Sequence, residues 1–172
     1  MARPKIRGVK NDLSQISPVD WARLAAYIDG EGHIALNENT MTGGKKYAYL
    51  RVIVTNTDPR LIVWLQRTFG GGVLRNARVQ DGWRNCFKWT ATCRHAEGIL
   101  RGCLPYFILK RDQAEIGLAF QETMKYHRWN KLPVEVSQLR AQFRAQLLSA
   151  REPRKCDIVR DEHGNAVEVT VN

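Results

Sequence analysis

The feature that most constrains this chain is a short apolar segment closed by alternating acidic residues and glycines. Ser17-Pro18-Val19-Asp20 has the composition of a helix start, since serine caps, proline suits the first turn and aspartate faces the exposed N–H groups. From Trp21 to Ile28 only Arg23 is charged, so nothing interrupts a helix. Asp29-Gly30-Glu31-Gly32 then ends it, because glycine adopts backbone angles that other residues resist. The pattern predicts an acidic side chain, Glu31, where a buried helix gives way to a strand.

Two stretches that alternate in polarity follow this segment. Apolar and polar side chains take turns between His33 and Asn39, and more regularly between Tyr47 and Asn56, with a loop predicted at 40–46. The pattern predicts a hairpin with one apolar face and one hydrogen-bonding face. The hydrogen-bonding face is expected to carry Asn37, Asn39, Tyr47, Tyr49 and Arg51.

The same order of helix and hairpin is then predicted again. Asp58-Pro59 begins a helix that ends at the glycines 70–72. A second hairpin is predicted at 73–79 and 83–92, since Asp81-Gly82 between them is a strong turn signal. Polarity places Phe87 and Trp89 inside this hairpin, and the opposite register is the alternative. The outward residues are then Arg75, Arg84, Lys88 and Thr90.

The rest of the chain is mostly helical in pattern. Helices are predicted at 94–103, 108–126 and 134–150, and a small hairpin is expected around His163-Gly164-Asn165. The segment at 24–32 has no second copy. The predicted organisation is a basic arm at 1–16, one domain at 17–150 and a charged tail at 151–172.

Charge and composition narrow the classes of function. A formal net charge of +10, with arginine outnumbering lysine two to one, favours nucleic acid over a membrane as partner. The four cysteines lack metal-ligand spacing, so reduced thiols are expected and not a zinc site. No apolar run spans a bilayer and no signal peptide follows the basic start, which predicts a soluble intracellular protein. Its richness in arginine and alanine favours a bacterial cytoplasm over an organelle.

The nine residues from Leu24 to Gly32, LAAYIDGEG, resemble the signature of the LAGLIDADG homing endonucleases. Three further positions are similar to that family in the same chain order. Asn56 ends the second strand, Arg60 lies one turn into the next helix, and 104–114 resembles the pattern P-[FY]-L-x-x-K-x-x-Q-A, with Lys110 as its lysine. The signature departs from its name-giving letters at Ala26, Tyr27, Gly30 and Glu31.

The resemblance implies a fold over roughly residues 18 to 127. The expected class is α+β with the order αββαββα, in which a curved antiparallel sheet of four strands per subunit is covered by helices on one face and followed by extra C-terminal helices. Its polar face is expected to lie in the DNA major groove, where base edges carry a distinct donor and acceptor code. The resemblance nominates as DNA-binding residues Asn37, Asn39, Tyr47, Tyr49, Arg51, Arg75, Arg84 and Lys88.

The resemblance also implies an enzyme, a Mg²⁺-dependent endodeoxyribonuclease that leaves short 3′ overhangs. Glu31 would hold Mg²⁺, with the Gly30 backbone as a possible further ligand, and Mn²⁺ or Ca²⁺ could substitute for binding. Lys110 would stabilise the transition state, Asn56 would order water, and Arg60 would lie at the rim. One signature implies a homodimer on a long pseudo-palindromic target. The expected dimer interface comprises Ala22, Ala25, Ala26 and Asp29.

Other interpretations of the same residues are open at this point. The signature is also what a capped core helix with a tight turn requires. Asn56 is then a turn residue, Arg60 a surface charge and Lys110 a solvated lysine at a helix start. The alternative function is a non-cleaving nucleic-acid binder on the same scaffold, either an intron RNA maturase or a DNA-binding regulator. A basic structural protein of the nucleoid or ribosome fits the charge alone.

Overall fold

Helices and strands follow one another in the order that the sequence predicts. A computed structural model describes residues 11–40, 44, 46–76, 85–125, 133–152, 156–163 and 166–171. Up to α3 the order is αββαββα, which confirms the predicted α+β class. The elements are α1 (Pro18–Glu31), β1 (Gly32–Thr40), β2 (Lys46–Asn56), α2 (Pro59–Phe69), β3 (Gly72–Asn76), β4 (Cys86–Thr92), α3 (Cys93–Cys103), α4 (Arg111–Glu122), α5 (Val134–Ser149), β5 (Cys156–Arg160) and β6 (Ala166–Val171).

Helix α1 begins as predicted but ends for a different reason. The Ser17 hydroxyl accepts the Asp20 N–H at 3.1 Å, and Pro18 occupies the first position. At the other end Gly32 has a φ of −87°, which any residue adopts. A Cβ there would lie 2.5 Å from the Cα of Ile28. Close approach of backbone to backbone, and not an unusual backbone angle, requires the glycine.

The four-stranded sheet has the order β1-β2-β4-β3, with every neighbouring pair antiparallel. One face carries the core: Leu50, Val52 and Val54 of β2 are fully buried, while the residues between them are only partly covered. Helices α1 to α5 pack on this face. Trp89 of β4 is also fully buried, and its indole N–H donates to the Gly70 carbonyl at 2.7 Å. The alternation predicted for both hairpins therefore positions the core.

In the second hairpin the polarity interpretation is confirmed for β4. Trp89 and Phe87 pack with the core, whereas Lys88 pairs with Leu74 and Thr55 on the other face. The register pairs Arg75 with Phe87, but the side chain of Arg75 lies outside the described residues, so its expected outward position stays a prediction. The predicted strand ends at 77–79 and 83–84, the turn at 80–82 and Arg84 lie outside the described residues.

The C-terminal helices are shorter than predicted. A 3-10 turn occupies Leu104–Tyr106, and α4 begins at Arg111 and not at residue 108. The reason is that the backbone N–H groups of 108–110 donate hydrogen bonds to the carboxylate of Asp29 in α1. Strands β5 and β6 pair with each other, which confirms the predicted hairpin in the tail.

Part of the predicted N-terminal arm belongs to the packed structure. Residues 11–16 contain a 3-10 turn, Leu13–Gln15, and the Asn11 amide donates to the carbonyl of Arg67 at 2.6 Å. Leu13 and Ile16 pack against the core. The arm is therefore shorter than 1–16; residues 1–10 lie outside the described residues. Within the described part of the chain, no helix combines the length and apolarity needed to cross a bilayer.

Substituting the two glycines of the signature separately tests the close approach at Gly32. We expect Gly32→Ala to destabilise the fold by about 1–3 kcal/mol, because backbone atoms would have to move. Gly30→Ala is the matched control, since a Cβ there meets nothing within 4 Å. Urea unfolding at two protein concentrations separates folding from any association. Equal stability of both variants would contradict the close-approach argument.

Candidate active site and nucleic-acid interface

Glu31 is the last residue of α1, and its carboxylate is exposed beside the end of β2. The Asn56 amide N–H donates to Glu31 Oε2 at 2.5 Å. The Asn56 Oδ1 in turn accepts the Asp58 N–H at 2.7 Å. Because both ends of the amide are bound, its orientation is fixed and so is one oxygen of the carboxylate. Asn56 is therefore more than a turn residue.

Asp29, two residues earlier, faces inward and ties α1 to the segment before α4. Its carboxylate accepts the backbone N–H groups of Ile108 at 2.8 Å, Leu109 at 3.2 Å and Lys110 at 2.9 Å. Three N–H groups on one carboxylate explain why 108–110 does not continue a helix. Asp29 is nearly fully buried, so the structure does not place it on an exposed dimer face.

Lys110 is not the solvated lysine that the alternative interpretation required. Its Nζ donates to the carbonyl of Ile28 at 2.8 Å and to that of Asp29. These carbonyls lie in the last turn of α1, where the helix dipole favours a cation. Burial lowers the pKa of Lys110, and the nearby Asp29 carboxylate opposes this. Lys110 is thus held at the same end of α1 as Glu31.

Arg60 lies in the first turn of α2, at the rim of the candidate active site, and forms an ion pair with Asp58. Its guanidinium contacts the Asp58 carboxylate at 2.6 Å, while its side chain is 90% exposed. The Arg60 hydrogen bonds lower the pKa of Asp58 to about 2. Asp58 also caps α2, accepting the Arg60 N–H at 2.9 Å. Glu31, Asn56, Asp58 and Arg60 therefore form one continuous chain of hydrogen bonds.

The polar face of the sheet carries most of the side chains predicted for it. The register places Asn37 opposite Tyr49, and Asn39 opposite Tyr47. The Asn39 amide donates to the Tyr47 hydroxyl at 3.2 Å. In the described strands of this sheet the single acidic residue is Glu38, which lies on the helix side and contacts Arg144 at 3.4 Å. The polar face in these strands therefore carries no carboxylate that would repel phosphate.

A group of cations lies at the β1 edge of this face. The Arg151 guanidinium donates to the Ile34 carbonyl at 2.6 Å, and the Nε atoms of Arg51 and Arg151 are buried without a partner. Burial lowers the pKa of His33, and the charges of Arg151, Lys110 and Arg51 lower it further. His33 therefore lies among three cations near the end of α1.

The exposed side of α1 differs in part from the expected interface. Ala22 is partly exposed, and Ala26 and Gly30 are exposed; we call these three the small-residue stripe. Ala25, however, is fully buried against the chain's own core. The expectation for Ala25 was wrong because, at about 100° per residue, it lies about 40° from the buried Asp29 and about 60° from the buried Ile28, whereas the exposed Ala26 lies about 100° away.

Several features of this region were not predicted. Asp29 as acceptor for 108–110, the bonds of Lys110 to α1, and the contact of Arg151 with β1 all join residues far apart in the chain. The pattern of neighbouring residues in the sequence cannot predict hydrogen bonds between residues so far apart. The one local signal is the apolar pair Ile108-Leu109 directly before three charged residues, a pattern that does not suit the start of an amphipathic helix.

The described residues do not form a metal site on their own. No three histidine, cysteine, aspartate or glutamate side chains in the described part of the chain lie together in a metal-binding arrangement. The exposed carboxylate at the end of α1 is that of Glu31, and the Asp58 carboxylate in the same hydrogen-bond chain is engaged by Arg60.

Comparison with solved structures identifies the fold as that of the LAGLIDADG homing endonucleases. The homing endonuclease I-CvuI in complex with its target in the presence of Ca²⁺ has a TM-score of 0.65 and 20% identity, covering 80% of this chain and 85% of that one. I-CvuI has also been solved on a different target with Mg²⁺.

Two other DNA complexes have a similar fold. The archaeal intron-encoded homing endonuclease I-Vdi141I, complexed with DNA, has a TM-score of 0.63 and 12% identity, and the match covers 78% of this chain and 85% of that one. The LAGLIDADG homing endonuclease I-LtrWI, bound to target DNA, has a TM-score of 0.60 and 19% identity, and the match covers 86% of this chain and 49% of that one. No protein-family model matches the sequence, and no curated protein matches it.

Substituting Asp29 tests the link between α1 and the segment before α4. In Asp29→Asn an amide N–H₂ replaces one oxygen that accepts backbone N–H groups. We expect the free energy of unfolding to fall by about 1–3 kcal/mol, because buried donors lose their partner. Glu115→Gln is the control: Glu115 makes an exposed pair with Arg111, and exposed pairs contribute about 0–1 kcal/mol. Urea unfolding compares the two, and equal losses would contradict the role of Asp29.

Proposed function

We propose that this protein is a site-specific, divalent-metal-dependent endonuclease of double-stranded DNA, a homing endonuclease or meganuclease. The observation that carries the proposal is Glu31 at the junction of α1 and β1, with its carboxylate held by Asn56. A capped core helix would not need an exposed carboxylate oriented by a second side chain. The fold adds support, since solved proteins that share it are homing endonucleases bound to DNA.

The residues present fit Mg²⁺ as the metal. Mg²⁺ takes oxygen ligands, and commonly one or two carboxylates with substrate phosphates and water completing its shell. One exposed Glu31 per chain meets that requirement without a cluster of protein ligands, and the Gly30 backbone is a further candidate ligand. When bound, the ion neutralises charge on the phosphoryl group and activates water. Mn²⁺ or Ca²⁺ would occupy the same oxygen ligands for binding.

Asn56 and Lys110 would act on the phosphate from the protein side. Asn56 holds Glu31 through its amide N–H and would order water beside it. An ammonium has three donors, and Lys110 uses two of them on the carbonyls of Ile28 and Asp29. The third is free to meet a phosphoryl oxygen as negative charge develops there. Arg60, at the rim, would contact the flanking backbone.

The polar face would read the target. Asparagine amides suit adenine and arginine suits guanine, which gives roles to Asn37, Asn39 and Arg51. Tyr47 and Tyr49 add contact area and hydroxyl groups, and Lys88 adds a positive charge. Arg75 and Arg84 stay predictions for the same interface, since their side chains lie outside the described residues.

A single chain supplies one Glu31 and one sheet, which is half of what cutting both strands requires. We therefore propose a homodimer in which α1 of each subunit packs through the small-residue stripe. Small residues allow helices to approach closely. Two-fold symmetry then predicts a long pseudo-palindromic target, with cuts on the two strands that leave short 3′ overhangs.

Cleavage of a randomised duplex library with Mg²⁺ tests the proposal. We expect wild type to cut specific sites, Glu31→Gln to lose at least about a thousandfold of the rate, and Asn56→Ala to lose about 10–100-fold because it orients the ligand. Glu38→Gln is the matched control, since this acid lies on the helix side and should leave cutting unchanged.

The outcomes of this experiment separate the candidate functions. Binding without cutting by wild type would contradict the endonuclease and favour the alternative, a maturase or DNA-binding regulator. Full activity in Glu31→Gln would contradict the role of Glu31. Absence of binding to any duplex would contradict the role of the polar face.

Salt dependence of DNA binding tests the polar face separately. Each cation that contacts a phosphate contributes about 0.9 to the slope of log K against log salt. We expect Lys88→Ala to lower the slope by about one unit, and Arg51→Ala to do the same or to alter sequence preference. Arg101→Ala is the control, because Arg101 is paired with Glu97 and Glu122. An unchanged slope in both polar-face variants would contradict this interface.

A further inference from the structure

Two pairs of side chains lie opposite each other at the end of the polar face that is farthest from Glu31. The register pairs Asn39 with Tyr47, and Asn37 with Tyr49. Within each strand the two residues are two positions apart, so all four side chains share one face. Directly opposed side chains of antiparallel strands lie close enough to interact. Each pair is an asparagine facing a tyrosine, so any difference between the pairs comes from their geometry.

The Asn39–Tyr47 pair is held by a hydrogen bond. The Asn39 amide donates one N–H to the Tyr47 hydroxyl at 3.2 Å. The Tyr47 ring in turn contacts the Tyr49 ring, with 5.8 Å between their centroids. This ring contact restricts the position of the Tyr47 hydroxyl, which therefore acts as a fixed acceptor. The plane of the Asn39 amide is oriented as a result.

The Asn37–Tyr49 pair lacks such a bond. Among the described residues, the Asn37 amide and the Tyr49 hydroxyl have no hydrogen-bond partner. The last side-chain torsion of asparagine is broad, so a free amide presents either its oxygen or its nitrogen to a given point. Asn37 can therefore adapt to several base edges, whereas Asn39 cannot.

The bond to Tyr47 leaves Asn39 with a defined hydrogen-bonding capacity. An asparagine amide has two N–H donors and one oxygen acceptor, and Tyr47 takes one of the donors. In the major groove adenine presents the N7 acceptor and the N6 amino donor, which match the remaining donor and acceptor. Guanine presents two acceptors, and cytosine and thymine one hydrogen-bonding group each, so these bases satisfy the amide only in part.

We propose that Tyr47 is a positioning residue that makes Asn39 selective for adenine, while Asn37 contacts its base pair with little discrimination. This inference rests on the proposed function of the polar face and adds which of the two asparagines is selective. Strand β1 runs away from Glu31, so the Asn39 contact is the outer one. Two strand residues span roughly 7 Å, or about two base pairs. Each half of the target would then carry an adenine about two base pairs outside a tolerant position.

Selection by binding tests the inference without cleavage. Wild type selects duplexes from a randomised library with Ca²⁺, and single base-pair changes in the selected target give the preference at each position. The base pair whose preference is lost in Asn39→Ala is called the Asn39 position, and Asn37→Ala defines the Asn37 position likewise. We expect wild type to favour adenine at the Asn39 position by at least about tenfold, and to discriminate less than about threefold at the Asn37 position.

Removal of one hydroxyl tests the role of Tyr47. Tyr47→Phe keeps the ring contact with Tyr49 but removes the acceptor for Asn39, and Tyr47 is exposed, so the core is untouched. We expect the adenine preference at the Asn39 position to fall below about threefold, while preferences at other positions stay, which a general loss of structure would not produce. In an Asn39→Ala background the same substitution should change the preference no further.

Tyr49→Phe is the matched control for this substitution. It also removes a hydroxyl from the polar face, but that hydroxyl does not bind Asn39. We expect the adenine preference at the Asn39 position to be the same as in wild type.

An altered base gives a second, independent measurement. In 7-deazaadenine a C–H replaces N7, so the free N–H of Asn39 loses its acceptor. We expect this base at the Asn39 position to weaken wild-type binding about tenfold and Tyr47→Phe binding less than about threefold.

The possible failures of this inference and of the proposed function are distinguishable. A wild-type protein that selects specific duplexes would overturn the inference alone if Tyr47→Phe kept the full adenine preference, or if Asn39→Ala removed no preference. Selection of another base at the Asn39 position, or equal selectivity at the Asn37 position, would also overturn it and leave the endonuclease standing. A wild-type protein that selects no duplex would contradict both.

Discussion

The carboxylate of Asp29 is the interaction on which the rest of the site depends. It accepts three backbone N–H groups from residues about eighty positions later in the chain, and so joins the end of α1 to the start of α4. The same junction positions Lys110 on the carbonyls of α1. Glu31 and Lys110 are thus held by one helix end, although only one of them belongs to it. A buried acid that is fully hydrogen-bonded is costly to change, because each lost acceptor leaves an unpaired donor.

The alternation of buried and exposed residues along the strands positions the side chains of the polar face. Leu50, Val52 and Val54 fix β2 against the helices, so the residues between them must point the other way. A slip of one residue would bury Arg51 and expose the core, which makes the register strongly determined. Burial of the core residues therefore determines which side chains lie on the polar face, including its asparagines, tyrosines and arginine.

The sequence predicted those parts of the structure that depend on neighbouring residues. The limits of α1, the alternation of β2 and the inward position of Trp89 all follow from local pattern. Polarity over the five residues of β3 does not determine a register, so the face of Arg75 stays a prediction. Ala25 was misplaced because the composition of α1 does not distinguish its buried side from its exposed side. The partners of Asp29 and Lys110 lie about eighty residues away, where no periodicity connects them.

Gly30 shows where a constraint lies outside the single chain. Glycine in a helix costs about 1 kcal/mol relative to alanine. Gly32 lies just after α1 and is required there, since a Cβ would strike the backbone of Ile28, but at Gly30, inside α1, a Cβ would meet nothing within 4 Å. Folding of one chain therefore gives no reason for this glycine. Its position on the small-residue stripe, next to Glu31, gives one: a second helix approaching along the stripe would meet the backbone of Gly30 directly. The core-facing half of the signature can thus be explained from one chain, and the proposed homodimer would explain the other half.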